Sequence, residues 1–238
     1  MALSSSQFQR AAAEVAEHAA TLIQPGMRLG LGTGRMATAF LEALRPRIAA
    51  GLKIRGLCSS KATEERARSI GVELLAGSGL PLDLDIDGAD EFDPRLNLLK
   101  GGHGALLRET LVAERSRRFW VLADPSKAVQ RLCSRNPLPV EVLPFDWEGV
   151  AASCQERLPC RCELRGGVAD PFVTDNGNYL LHLEFPGGLT DPGEAAARLS
   201  AIAGVLGHGL FLGKATAALV SEGHGIQVVG DLEAEREI

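Results

Sequence analysis

Aromatic side chains make up only 5% of the 238 residues, with one Tyr and two Trp. A hydrophobic interior therefore has to be assembled from Leu, Val, Ile and Ala. Basic clusters are missing as well. The formal net charge is −5, and the densest basic stretch, Arg115 to Arg118, reads as a helix end. A nucleic-acid or anionic-membrane surface needs a concentrated basic face, so both partner classes are excluded. An anionic small molecule is still admissible, because a pocket can be locally positive on an acidic protein. No run approaches 18 uninterrupted apolar residues, so no membrane span is expected. The first eight residues lack the basic flank and apolar stretch of a secretory signal. Cys58, Cys133, Cys154, Cys160 and Cys162 are odd in number and irregularly spaced. That suits reduced thiols in a cytoplasmic setting rather than a disulfide framework. Cys154, Cys160 and Cys162 have neither C-x-x-C pairing nor a nearby His, which argues against zinc.

What is present is ordinary for a globular chain: 45% apolar and 23% charged residues, long enough for one large domain or two modest ones. Residues 5–24 read as an Ala-rich helix closed by Pro25-Gly26, and 27–31 as a strand entering Gly32-Thr33-Gly34. Helical character returns over 35–50, a strand over 53–58, a Ser60-capped helix over 61–70 and a strand over 72–75. Residues 82–86 form a strand, 104–115 a helix and 119–123 another strand. This alternation predicts an α/β fold with a Rossmann-like, mainly parallel sheet flanked by helices. Near 133–137 the texture changes. After Leu138 to Leu143, a hairpin pairing 172–174 with 179–185 through an Asn176-Gly177 type I′ turn and a helix over about 193–203, without βαβ alternation, suggest a small α+β insert. Leu210 to Leu212 and Ile226 to Val228 read as closing strands of the first domain. The expected division is 1–132 with 205–238 for the larger domain and 133–204 for the smaller.

Four stretches carry chemistry. Gly30-Leu-Gly-Thr-Gly-Arg-Met-Ala37 sits at a strand-to-helix turn, where glycines admit an anion to backbone N–H groups. It lacks the Lys-Ser/Thr of a Walker A loop. It contains G-x-G-x-x-A, but the second strand ends in Leu57-Cys58-Ser59-Ser60 with no acid for a ribose diol, so NAD is not expected. A monophosphate fits, with hydroxyls from Thr33, Ser59 and Ser60; a plain glycine turn is the alternative. Asp83 to Glu91 holds five acids in nine residues, suited to polyol hydroxyls, a divalent metal or a solvated loop. Its spacing is not that of an EF-hand, and alternation puts Asp83, Asp85 and Asp87 on one face with Asp87 and Asp90 at the mouth. Lys100-Gly-Gly-His-Gly-Ala-Leu-Leu-Arg-Glu109 opens a helix on which Glu109 lies among Ala105, Leu106, Val112 and Ala113. Desolvation there would make the carboxylate a usable general base, and a structural pair with an Arg is the alternative. His103 serves either as a catalytic group or as a loop spacer. Lys127, in Asp124-Pro-Ser-Lys127, follows a strand at the end where ligands gather.

In this order and spacing the chain resembles the A-type ribose-5-phosphate isomerases. The text that carries the resemblance is Gly30-Leu-Gly-Thr-Gly34, Cys58-Ser-Ser60, Asp87-Gly-Ala-Asp-Glu91, Lys100-Gly-Gly102 and Leu106-Leu-Arg-Glu109. It continues through Asp124-Pro-Ser-Lys127, Pro137-Leu-Pro-Val-Glu-Val142, Val173-Thr-Asp-Asn-Gly-Asn178 and Gly209-Leu-Phe211. The resemblance implies that Glu109 is the base, with Asp87 and Lys100 as its catalytic partners. It also implies a substrate-binding set of Gly32, Thr33, Gly34, Arg35, Met36, Ser59, Ser60, Gly88, Ala89, Asp90, Gly101, Gly102, His103 and Lys127. It further implies no metal and no organic cofactor, a sugar phosphate as the partner, and assembly as a homodimer or homotetramer. Arg35-Met36 replaces the family's usual Ser-Thr, removing two hydroxyl donors, for which an Arg35–phosphate bond would compensate. His103 stands where the family usually has Gly.

The reaction this implies is aldose–ketose isomerisation between ribose 5-phosphate and ribulose 5-phosphate through an enediolate. The rivals are a non-catalytic sugar-phosphate sensor and a hexose-phosphate deaminase or hydrolase on the same fold. The first would want a further domain, for which these 238 residues leave no room, and has little reason to keep the Asp87, Lys100 and Glu109 set; a comparison of ribose 5-phosphate with glucosamine 6-phosphate separates the second.

Overall fold

The computed structural model describes residues 3–77 and 79–238. In chain order the elements begin with α1 (Ser5–Thr21), β1 (Arg28–Leu31), α2 (Arg35–Ala49), β2 (Arg55–Cys58), α3 (Lys61–Ser69) and β3 (Glu73–Leu74). Next come β4 (Leu84–Asp87), β5 (Glu91–Phe92), β6 (Leu98–Leu99), α4 (Leu106–Glu114), β7 (Phe119–Ala123) and β8 (Leu138–Val142). The remainder is α5 (Trp147–Arg157), β9 (Arg161–Leu164), β10 (Tyr179–Glu184), α6 (Pro192–Ser200), β11 (Val205–His208), β12 (Leu210–Phe211), β13 (Ala217–Ser221) and β14 (Ile226–Gly230). The chain divides into two units. One comprises the chain up to Ala89, Leu111–Ala128 and Gly213–Ile238; the other comprises Asp90–Thr110 and Val129–Leu212.

The first unit is built on a seven-stranded sheet in the order β14-β13-β7-β4-β1-β2-β3. All its pairings are parallel except β13 with β14, which is the Rossmann-like arrangement the alternation of elements predicts. Helix α1 starts on a capping box, in which the Ser4 side chain accepts from Gln7 N and Gln7 reaches back to Ser4. Such boxes satisfy donors that the first turn leaves open. Its Ala11, Ala12, Val15, Ala16, Ala19 and Ala20 form the buried face, and all of these but Ala11 join Phe40, Leu41 and Leu44 of α2 with Leu29, Leu31, Leu84 and Ile86 of the sheet in one core. Fully burying each Leu or Ile of that set contributes about 1.5–3 kcal/mol. From β1 the strand order runs outward through β2 and β3, and from β4 through β7. The reversal between β1 and β4 is a topological switch point, whose crevice at the strands' carboxyl ends is the usual ligand position.

The second unit holds a four-stranded antiparallel sheet, β11-β8-β10-β9, and a three-stranded sheet, β12-β6-β5. Its core gathers Leu138, Val140 and Val142 of β8, Leu181 and Leu183 of β10, Val150 and Cys154 of α5, and Leu199 of α6. Three readings of the sequence change here. Residues 90–110, 129–132 and 205–212 fall in this unit, where β5 pairs with β6, β6 with β12, and β11 with β8. Of the two closing strands, only Ile226–Gly230 joins the larger sheet, through β13. Residues 172–174 give no strand. Val173 makes a single bridge to Tyr179, while β10 finds its partners in β8 and β9. A type I′ turn needs positive φ at both central residues. Here Gly177 has φ 81° and Asn176 is not among the positive-φ residues, as in a type I turn closed by a left-handed glycine.

Candidate active site

The expected site residues form two groups, one in each unit. In the first, β1 lies beside β4 with Gly30 opposite Asp85, so glycines at alternate positions face carboxylates at alternate positions. A Cβ on Gly32 would fall 2.0 Å from Cγ of Asp87, and one on Gly30 would fall 2.6 Å from Oδ1 of Asp85. The bare backbone of Gly30-Leu-Gly32 thus makes room for two aspartates that are 2% and 1% exposed. Asp87 Oδ1 accepts from Thr33 N at 3.0 Å and from its neighbour Gly88 N at 2.7 Å. In this state one loop N–H expected to face an anion is engaged by Asp87.

Thr33 Oγ1 lies 2.8 Å from Ser59 Oγ and 2.9 Å from Ser60 Oγ, which joins the three hydroxyls named from sequence. Thr63 is a fourth member, with Oγ1 donating to Gly32 O at 2.9 Å and lying 2.9 Å from Ser60 Oγ. The sequence signal for Thr63 was its place three residues after Ser60, whose side chain caps α3 by accepting from Thr63 N. Gly34, at φ 110°, precedes α2. Arg35 opens α2 with its guanidinium 3.9 Å above the Phe8 ring, a stacking partner that sequence reading missed because it lies on α1. Met36 does not present its side chain as a ligand group. It is buried in the core and would meet a Cβ on Gly88 at 3.6 Å, so only its backbone is available. Ala89 follows in the same loop. Lys127 ends a 3-10 turn, Pro125–Lys127, capped by Asp124 at the carboxyl end of β7.

In the second unit Lys100 and Glu109 come together. Nζ of Lys100 is 3.3 Å from Oε1 of Glu109, and both side chains are 3% exposed. Glu109 projects from the first turn of α4, and Ala105 and Leu106 are buried as the helical pattern required. Its structural partner is therefore Lys100 rather than an Arg. The Lys100 ammonium also stands 5.6 Å from the centroid of Phe211. Asp90 Oδ2 accepts from Gly102 N at 2.8 Å, which ties the loop of Gly101, Gly102 and His103 to the carboxyl end of the acidic run. His103 is exposed. Burial lowers the Arg165 guanidinium below its ordinary value, against the pull of Asp90. Burial first, and then Arg165, also push the His182 imidazole down.

The acidic run is dispersed rather than clustered. Asp83 accepts from Arg28 N at 2.7 Å, and Glu91, wholly buried, accepts through Oε1 from the backbone of Arg135 and Asn136, each at 2.8 Å. Among the described residues no group of three or more His, Cys, Asp or Glu side chains could hold a metal ion. No helix among them is long and apolar enough to cross a membrane. All five cysteines are free, and burial pushes Cys58 and Cys162 up to about 12 and Cys154 to about 11. They are packing residues.

A carboxylate and an ammonium buried side by side have the makings of proton transfer on a polar substrate. The family model described as ribose 5-phosphate isomerase A (phosphoriboisomerase A) matches residues 55–225. A ribose-5-phosphate isomerase A of Bradyrhizobium diazoefficiens is 43% identical over 228 residues, covering 91% of this chain and 93% of that protein. The solved ribose 5-phosphate isomerase of Plasmodium falciparum superposes with a TM-score of 0.89 at 32% identity, covering 93% of this chain and 98% of that one. A D-ribose-5-phosphate isomerase solved in complex with phospho-erythronic acid gives 0.88 at 31% identity, covering 94% and 99%.

Proposed function

This chain belongs to the ribose 5-phosphate isomerase A family, and from that premise we propose how its own side chains carry the reaction. It is an aldose–ketose isomerase acting on pentose phosphates, interconverting ribose 5-phosphate and ribulose 5-phosphate. Glu109 takes the proton from C2 of the open-chain aldose, leaving a cis-enediolate, and returns it to C1 to give the ketose. The single observation that supports this is the buried Lys100–Glu109 pair at 3.3 Å. An ammonium at that distance from the base is close to wherever the base removes a proton, so it can meet the negative charge that develops on the sugar oxygens. Pre-set charge of this kind is usually the largest catalytic contribution. Asp87 assists ring opening and passes the hydroxyl proton, and Asp90 with the Gly101–His103 loop holds hydroxyls. Lys127 anchors the substrate, and the turn from Gly32 to Met36 with Ser59 and Ser60 takes the phosphate. Gly88 and Ala89 line the approach through their backbone.

A proton moved between adjacent carbons needs a base and charge stabilisation, both supplied by side chains, so the reaction runs without metal or organic cofactor. The enzyme works in the cytoplasm, where five free thiols stay reduced, and assembles as a homodimer or homotetramer. Dialysis against a chelator leaves kcat unchanged, and light scattering on the eluting peak gives a multiple of the 25.2 kDa chain.

Glu109→Gln tests the base. General bases contribute about 10²–10⁴-fold, so retention of more than about a hundredth of kcat removes Glu109 from the role. Glucosamine 6-phosphate, offered in parallel, is neither deaminated nor hydrolysed. Phospho-erythronic acid competes with ribose 5-phosphate.

A further inference from the structure

Two stretches that match the family, Pro137 to Val142 and Val173 to Asn178, have no part in this chemistry, yet they meet at one buried carboxylate. Glu141, on β8, is fully buried. Its Oε1 accepts from Thr174 Oγ1 at 3.0 Å, Asn176 Nδ2 at 3.1 Å and Asn178 Nδ2 at 2.8 Å. The turn is stapled within itself, Thr174 N donating to Asn178 O and Gly177 N to Thr174 O, both at 2.9 Å. With Nδ2 committed to Glu141, the Asn176 amide presents its oxygen in the other direction. There it accepts from Nε of Arg108 at 2.8 Å. Asp175 faces the same guanidinium, with Oδ2 3.9 Å from one nitrogen and the backbone oxygen 3.4 Å from the other. A carboxylate only accepts and a guanidinium only donates, so a side chain that does both, here an amide, can join them.

We propose that Arg108, gripped by the Asp175–Asn176 turn that Glu141 anchors, is a positioning residue that fixes the rotation of α4 and with it the aim of Glu109. The inference rests on Glu109 being the base. Consecutive residues leave a helix about 100° apart, and α4 has only nine residues, so pinning Arg108 fixes the bearing of its neighbour. With the Glu109 carboxylate roughly 5–6 Å from the helix axis, a rotation of about 10° moves it about 1 Å. A misplacement of that size can cost about 10²-fold in rate.

The test is a kinetic cycle on the full-length enzyme: Arg108→Ala, Arg108→Lys and Asn176→Ala, each alone and combined with Glu109→Gln. Arg108→Ala and Asn176→Ala lower kcat by about 10–100-fold, with KM for ribose 5-phosphate within about twofold of wild type. Arg108→Lys keeps the charge and stem and so guards against misfolding. Without the planar fork it shows the same pattern, a fall in kcat at constant KM. In the Glu109→Gln background none of the three costs a further loss, because there is no base left to aim. A raised KM at unchanged kcat makes Arg108 a substrate contact and overturns the inference, as does an unchanged kcat. Equal losses in both backgrounds also overturn it, while leaving Glu109 as the base. Activity above a hundredth in Glu109→Gln alone removes the base assignment and this inference together.

Discussion

Lys100 and Glu109 are each 3% exposed and 3.3 Å apart, so either charge alone is poorly tolerated. Removing one member of such a pair leaves the other buried against a neutral neighbour, at a cost of about 3–5 kcal/mol. Lys100→Met and Glu109→Gln should each lose that much. The double variant strands no charge. Its cost is that of an imperfectly bonded buried amide, about 1–3 kcal/mol, so it should be more stable than either single variant. For a chain of this size a kilocalorie shifts Tm by about 2–4 °C, which puts the singles about 6–20 °C below wild type. Urea denaturation read by circular dichroism gives the free energies, and initial-rate assays on ribose 5-phosphate run alongside. All three variants should fall below a hundredth of wild-type kcat, so activity and stability part company in the double variant. Single variants within about 1 kcal/mol of wild type, or a double variant losing the sum of the singles, would refute the pair as a buried, coupled unit.

Gly32→Ala places a methyl about 2 Å from the Asp87 carboxyl group, well inside contact distance. Asp87 has to swing away from Thr33 N, and kcat should fall at least about 10²-fold; near-normal turnover would contradict the assignment of Asp87. His182 is pushed down in the folded protein by burial and by Arg165, so the unfolded chain takes up its proton at a higher pH than the native one. Stability should therefore decline as pH drops below about 6.5 toward the folded value. His182→Phe should flatten Tm against pH between 7 and 5, and an unchanged slope would discard the reasoning. With Cys58 and Cys162 held near 12, about one part in ten thousand of each is thiolate at pH 8. Iodoacetamide should label them only after denaturation; rapid labelling of native enzyme would disagree.

The parallel sheet was legible because buried strands alternating with capped helices leave a strong pattern, as Ser60 shows at α3. Helix α5 escaped because its inward residues, Val150, Ala151 and Cys154, are few and small. Strands β5 and β6, two residues each, are too short to show a period. The hairpin was misread because Asn176-Gly177 looks like a type I′ turn, whereas the Asn176 side chain is occupied by Glu141 and Arg108. Glu109 could be picked out by the apolar arc around it, whereas Lys100 as its partner came only with the family resemblance, since nothing local says that it folds back onto Glu109. The acidic run promised a cluster, and Asp83, Asp87, Asp90 and Glu91 instead went to different donors. Arg35 was expected to reach for phosphate, and its ring partner Phe8 lies 27 positions away in the chain.

The alternating glycines Gly30, on β1, and Gly32, just after it, also bear on how the chain finds its fold. Parallel strands carry little in their hydrogen bonding to say which residue should lie opposite which, and a slip of one residue is normally resisted only by the greasiness of the two faces. Here both faces are buried, so that safeguard is weak. Asp85 and Asp87 act as teeth, and Gly30 on β1 and Gly32 just beyond its end are the notches that receive them. Shifted by one, the teeth would strike Leu29 and Leu31. The two bare positions are thus a mechanical key that favours a single alignment of β1 beside β4.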